Sequence, residues 1–194
     1  MDKRLKASDI ESISSTYGLE PALVRALVQV ESRGRGFLPD GRLVILFEGH
    51  VFWRQLLIRS INPLQHQKGN EDVLYPYLDR KKYLGGAAEW TRLEKAMRIH
   101  REAAMCSASY GLFQIMGFNH QNCGYATVQA MVTDFEKSES NQLLGAITFL
   151  KNTKLLDVLA AKNWREFARR YNGPGYEKNN YHTKLEQAYK KFRE

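Results

Sequence analysis

The chain has 194 residues, a formal net charge of +8, 43% hydrophobic side chains and 26% charged ones. This length and composition suit one soluble globular domain with its own core, and two cysteines are too few for a disulfide scaffold. The basic balance points to an anionic partner: nucleic acid, an anionic membrane surface or an acidic polymer. Residues 162–194 carry nine Lys/Arg against four Glu, five of the eight excess charges. The first residues are charged and then polar, with no apolar stretch behind them, so they do not form a secretory signal. The longest apolar run, residues 43–47, is too short to span a bilayer. These features predict a protein made in a cytoplasm, which needs another agent to release it if its substrate lies outside.

In chain order, Ser8 or Asp9 is positioned to cap a first helix to about Tyr17, with Gly18 ending it. Pro21 opens a second helix at a position where its missing N–H costs nothing. Leu23, Ala26, Leu27 and Val30 form its apolar stripe. Glu31 falls at its C-terminal end, ahead of Gly34 and Gly36. Asp40-Gly41 is a turn signal, and residues 42–47 are β-branched and apolar, which predicts a small hairpin or extended segment delivering Glu48 beside the preceding helix. Helix resumes over about 50–59, and Asn62-Pro63 ends it before a polar loop through Asp72.

A long amphipathic helix is predicted over about 86–105, with Trp90, Leu93, Met97 and Ala104 on one face. A Gly-bearing turn at 109–117 follows, then helices near 127–137, 140–152, 155–161, 163–171 and 178–193. The fold class is mostly α (α+β): helical with a small β-hairpin element, in one domain over 1–194.

Three stretches carry the chemistry. Glu31 follows apolar residues one turn back and sits at the negative end of a helix; both effects raise a carboxyl pKa. A Glu protonated near neutral pH can donate its proton to a glycosidic oxygen. The plainer alternative is a surface Glu paired with Arg33 or Arg35. In the segment 107–117, Gly111 and Gly117 permit close backbone approach, Leu112, Phe113 and Ile115 anchor it in the core, and Gln114 is a polar side chain that needs partners. A sugar hydroxyl or N-acetyl group can supply them, and so can backbone. Ser107 and Ser109 are placed to bond the catalytic carboxyl or to cap the turn. In Tyr171-Asn172-Gly173-Pro174-Gly175-Tyr176, the tyrosines offer flat faces to sugars and Asn172 a partner for an N-acetyl amide; an ordinary helix-ending turn has the same composition.

Together, residues 26–32, 37–52, 107–119 and 167–176 resemble the N-acetylmuramidase family of phage endolysins and related cell-wall enzymes, across about 23–192. The Glu-Ser, Gly-Leu-Phe-Gln-Ile and Tyr-Asn-Gly elements are similar, more distantly, to goose-type lysozymes and lytic transglycosylases. The resemblance implies a lysozyme-like fold and cleavage of the β-1,4 bond between N-acetylmuramic acid and N-acetylglucosamine in peptidoglycan. It makes Glu31 the general acid. Glu48 is the candidate second carboxylate, with His50 orienting it. Ser109, Tyr110, Gln114, Tyr171 and Asn172 join His50 as candidate substrate-binding residues.

The family often adds an N-terminal wall-binding domain, for which the residues before Ser8 leave no room. That departure fits a compact, monomeric endolysin of a phage with a Gram-negative host, released from the host cytoplasm through a holin to act in the periplasm. No metal or other cofactor is expected: His120 and Cys123 lack a second pair of ligands, and the five histidines show no HExxH spacing.

Cys106 and Cys123 either pair in an oxidising compartment or stay buried thiols. The C-terminal basic helix, with Lys178, Lys184, Lys190, Lys191 and Arg193 among Tyr181, Leu185, Tyr189 and Phe192, suits either anionic lipid or plain packing with a solvated basic face. A lytic transglycosylase is the nearest rival function. A nucleic-acid-binding protein is the rival from another class, although the basic residues are scattered and form no known binding motif.

Overall fold

The computed structural model describes residues 3–32, 34–173 and 175–193; Arg33 and Pro174, which two of the readings above invoke, lie outside the described residues, as does the side chain of Lys178. Helix α1 spans Ala7–Tyr17. Asp9 stands one turn inside it and reaches back to accept the Lys6 N–H at 2.8 Å, so it satisfies the N-terminus from within. Gly18, with φ 63°, ends α1 in the left-handed conformation and donates to the Ser14 and Ser15 carbonyls. Helix α2 spans Pro21–Glu31, opened by Pro21. Leu23, Val24, Ala26 and Leu27 are buried. The helix stops at Ser32, whose backbone turns extended, so Glu31 is its last residue.

The Asp40-Gly41 turn forms as expected: Leu38 N–H donates to Arg42 O at 2.7 Å, and Phe37 bridges Leu43. Strand β1 (Ile45–Phe47) then leaves this small hairpin and pairs with a distant segment. Helix α3 (Gly49–Ile58) follows, and a short α4 (Leu64–Gln67) occupies part of the predicted polar loop. Helix α5 (Ala88–Cys106) breaks at His100, whose ring Nδ1 accepts the Ala103 N–H at 3.2 Å and caps the resumed helix.

Residues 107–117 form a hairpin of strands β2 (Ala108–Tyr110) and β3 (Ile115–Met116). With β1 they make an antiparallel sheet in the order β1-β2-β3. The register aligns Leu46, Ser109 and Met116 in one row and Ile45, Tyr110 and Ile115 in the next. Side chains in one row share a face. The Ile45 row is buried in the core; on the opposite face Leu46 and Met116 are half-buried, with the buried Ser109 between them.

Helices α6 (Val128–Phe135), α7 (Glu139–Asn152), α8 (Leu156–Ala160), α9 (Trp164–Asn172) and α10 (Tyr181–Arg193) complete the helical lobe. Thr127 and Ser138 cap α6 and α7 through their side-chain oxygens. Helix α10 packs along α2, burying Leu185, Ala188 and Tyr189. Its apolar face is therefore spent on the core. Both cysteines are buried and free. No described helix is long and apolar enough to cross a membrane.

Candidate active site

Glu31 lies in a pocket of about 270 Å³, with Phe113, Gln114, Ile115, Met116, Asn119, Phe149, Tyr171, Asn172 and Tyr181 around it. Five elements meet here: the end of α2, the β2–β3 hairpin, α7, the end of α9 and the start of α10. Two of the sequence stretches, around Glu31 and around Tyr171, thus meet as walls of one site, with the hairpin as a third. Burial pushes the Glu31 carboxyl from 4.5 up to about 7, against an opposing contribution from the Asn172 amide. Glu31 Oε1 and Asn172 Nδ2 are both buried without a hydrogen-bond partner among the described residues. Both atoms are shielded from solvent, and that desolvation is what raises the Glu31 carboxyl. No described cation forms an ion pair with Glu31, which removes Arg35 as its partner.

Tyr171 stacks on Phe167, with ring centres 5.3 Å apart and an interplanar angle of 12°, and meets Phe149 edge-on at 6.4 Å. This aromatic packing fixes its ring in the wall. Burial first, and then the neighbouring Glu31, push the Tyr171 hydroxyl well above its usual range, so it stays protonated. Phe149, Tyr181, Asn119 and Met116 were not chosen as site residues from the sequence. Nothing in local spacing marks Phe149 or Tyr181 as site residues, because each joins through its helix's tertiary placement.

The hairpin contributes differently from expectation. Tyr110 is 1% exposed, and its hydroxyl donates to Met105 O at 2.9 Å. It lies in the buried row of the sheet and cannot contact substrate. Ser107 donates to Ala103 O at 2.6 Å and Ser109 to Gln114 Oε1 at 3.0 Å, so neither hydroxyl engages Glu31. Gln114, at a left-handed φ of 50°, donates from Nε2 to Gly111 O at 2.8 Å and to Val44 O at 3.3 Å. Its amide is spent on holding the hairpin, and it meets the pocket as a shaped wall.

That hairpin is braced from behind by residues the sequence did not flag. Gln142 accepts the Leu112 N–H at 2.7 Å and donates to Phe135 O at 2.9 Å. Glu139 accepts the Gly36 N–H at 2.7 Å and the Leu5 N–H at 2.9 Å.

Glu48 lines a second hollow, with Leu46, His50, Leu78, Arg80 and Tyr83. It stands 3.3 Å from His50 Nε2 and accepts the Tyr83 hydroxyl at 3.4 Å. Burial lowers the His50 pKa, and the Glu48 carboxylate only partly offsets this, so the ring is neutral at pH 7. Tyr83, absent from the sequence-based candidates, comes from a loop 35 residues away along the chain. Leu46 edges the Glu48 hollow and Met116 the Glu31 pocket, and both lie in one row of the sheet, on either side of the buried Ser109. Two strand spacings separate them by about 10 Å. Glu31 and Glu48 thus line two separate hollows whose edges meet the same row of the sheet.

Among solved structures, the crystal structure of the Burkholderia AP3 phage endolysin matches with a TM-score of 0.92 and 36% sequence identity, over 100% of this chain and 73% of that one. Its likeness fixes the fold as that of a lysozyme-like endolysin. No curated protein matches. The model of the Muramidase family, described as N-acetylmuramidase, matches residues 20–193, and the chain belongs to that family.

Proposed function

We propose that Glu31 is the general acid with which this peptidoglycan hydrolase cleaves the β-1,4 bond between N-acetylmuramic acid and N-acetylglucosamine. Family membership makes the protein a glycoside hydrolase of the muramidase type acting on peptidoglycan. The observation that carries the role of Glu31 is its carboxyl, lining a pocket of about 270 Å³ beside Tyr171 and Asn172 and raised to about 7 by burial. A carboxyl with that pKa holds its proton at neutral pH yet gives it up readily to a leaving oxygen. As the bond breaks, positive charge develops on the sugar ring. Glu48, in the second hollow, is the proposed partner that stabilises that charge or activates water, with His50 and Tyr83 orienting it. Tyr171 and Asn172 seat the sugar over Glu31.

The test is Glu31→Gln, which removes the proton donor at nearly constant volume. Lysis of purified wall should fall about a thousandfold with the circular dichroism spectrum unchanged; wall lysis at the wild-type rate would sink the assignment. Mass spectrometry of the digest should find reducing-end muramic acid. Products ending in 1,6-anhydro sugars would instead mark a lytic transglycosylase.

We further propose that the protein is a monomeric phage enzyme that reaches the wall from the periplasmic side after release from the infected cell. Any contact of α10 with an anionic surface is proposed to run through its exposed lysines alone, since Leu185, Ala188 and Tyr189 are buried against the core.

A further inference from the structure

The Glu48 hollow, at about 540 Å³, has twice the room of the Glu31 pocket and a different wall. That wall is the loop of residues 76–87. It exposes Tyr77 (82%), Leu78 (53%) and Leu84 (65%) and carries three consecutive cations, Arg80, Lys81 and Lys82, in a single 3-10 turn. Neither Arg80 nor Lys81 forms an ion pair among the described residues. The acids nearest in sequence are engaged locally: Asp79 accepts the Lys81 N–H and Glu71 the Gly69 N–H.

Exposed apolar side chains on a soft loop would fold down, because burying one gains about 1.5–3 kcal/mol. This loop is held from beneath. The buried Glu89 accepts the Leu84 and Gly85 N–H groups at 2.7 and 3.0 Å through one oxygen. Its other oxygen accepts Phe47 N–H at 3.1 Å and Arg92 at 2.7 Å. Arg92 lies over the rings of Phe47 and Tyr83. Lys82 donates to Glu71 O at 2.8 Å and covers Tyr75. One buried ion pair therefore pins β1 immediately before Glu48 and the loop immediately after Tyr83. A rigid wall with aliphatic and cationic side chains, aimed into an open hollow, is a preorganised recognition surface.

We propose that this hollow is a subsite for the acidic peptide arm borne by the muramic acid of the substrate, with Arg80 taking a peptide carboxylate and Leu78 packing on an aliphatic peptide side chain. The proposal rests on the muramidase reading. Charge complementarity selects a peptide over sugar: the uncharged hydroxyl and acetamido groups of the glycan have no use for free cations, whereas free carboxylates do. The edges of the two hollows, Met116 and Leu46, lie in one row of the sheet about 10 Å apart, a span over which a glycan seated over Glu31 can carry its peptide arm toward Arg80.

The experiment compares soluble peptidoglycan fragments with the same glycan stripped of peptide by an amidase, the lactyl carboxyl so freed being capped as its methylamide, at fixed ionic strength, following release of reducing ends. The wild-type protein is expected to show kcat/KM about tenfold higher on the peptide-bearing glycan, as one charge-assisted contact of about 1.4 kcal/mol gives. Arg80→Glu should reduce that preference to near one, mainly through KM, and Leu78→Ser should reduce it in part. Arg165→Glu, the same charge change on the exposed start of α9, should keep the wild-type preference. Equal wild-type kcat/KM on both glycans overturns the subsite while leaving the muramidase reading intact. So does an Arg80→Glu defect of equal size on both glycans. Absence of new reducing ends from either glycan overturns the muramidase reading itself.

Discussion

At the scale of single residues, Glu31 has consequences for both activity and stability. With Glu31 as the proposed proton donor, kcat/KM should fall as pH rises through about 7, where the carboxyl ionises. A pH–rate profile checks this; a rate that stays flat from pH 6 to 9 would contradict it. Stability moves with the same proton. Below pH 4.5 folded and unfolded chains both hold it. Between 4.5 and about 7 the unfolded chain releases it while the folded one keeps it. Stability therefore declines across that window, by about 3 kcal/mol in all. Glu31→Gln removes the penalty, so the variant should melt above wild type at pH 8 and level with it at pH 4. Glu48 is less buried, and Glu48→Gln should lower kcat with little change in KM, by about tenfold to a hundredfold. Tyr83→Phe should reproduce part of that loss if the phenol orients Glu48. Glu31 was legible from its apolar neighbours and its position at a helix end. Tyr83 was not, because its hydrogen bond to Glu48 exists only after a remote loop is folded back.

Among elements, the β2–β3 hairpin shows how local sequence and packing divide the work. Its glycines marked a tight structure where backbone comes close to something, and the structure identifies the neighbours. A Cβ on Gly117 would stand 2.2 Å from Met105 O, and one on Gly111 2.6 Å from the Gln142 carboxamide oxygen, at a φ of 70°. Gly117→Ala forces backbone against backbone and should destabilise the protein by about 1–3 kcal/mol, read as a lower denaturant midpoint in urea. The sequence also identified Gln114 as a polar side chain among apolar ones, but its partners are the hairpin's own carbonyls and Ser109 rather than a sugar. The reason is steric: with its backbone in the left-handed region, its side chain folds back over the turn. The β-strand period explains Tyr110 as well. The register that turns Ser109 to one face of the sheet turns its neighbour to the other.

For the molecule as a whole, a sheet of three short strands edges both the Glu31 pocket and the Glu48 hollow, and the buried Glu89–Arg92 pair ties that sheet to the wall of the second. Arg92→Met would strand Glu89 in the core and should cost about 3–5 kcal/mol in a denaturation experiment. The same substitution should loosen Glu48 more than Glu31. The sequence alone determined the helical class, most helix ends, the burial of Leu112, Phe113 and Ile115, and the family to which the chain belongs. Each is written in residues adjacent along the chain: caps, glycines, apolar periodicity and the motif combination. Only the tertiary structure decided which side chains share the pocket, that Tyr110 serves the core, that Gln142 and Glu139 brace the site from behind, and that Glu48 faces a separate hollow with Tyr83 and Arg80. These depend on strand register and on contacts between residues as remote in the chain as Glu31 and Tyr181, and a buried polar residue reads in sequence like any surface one until its partners are folded against it.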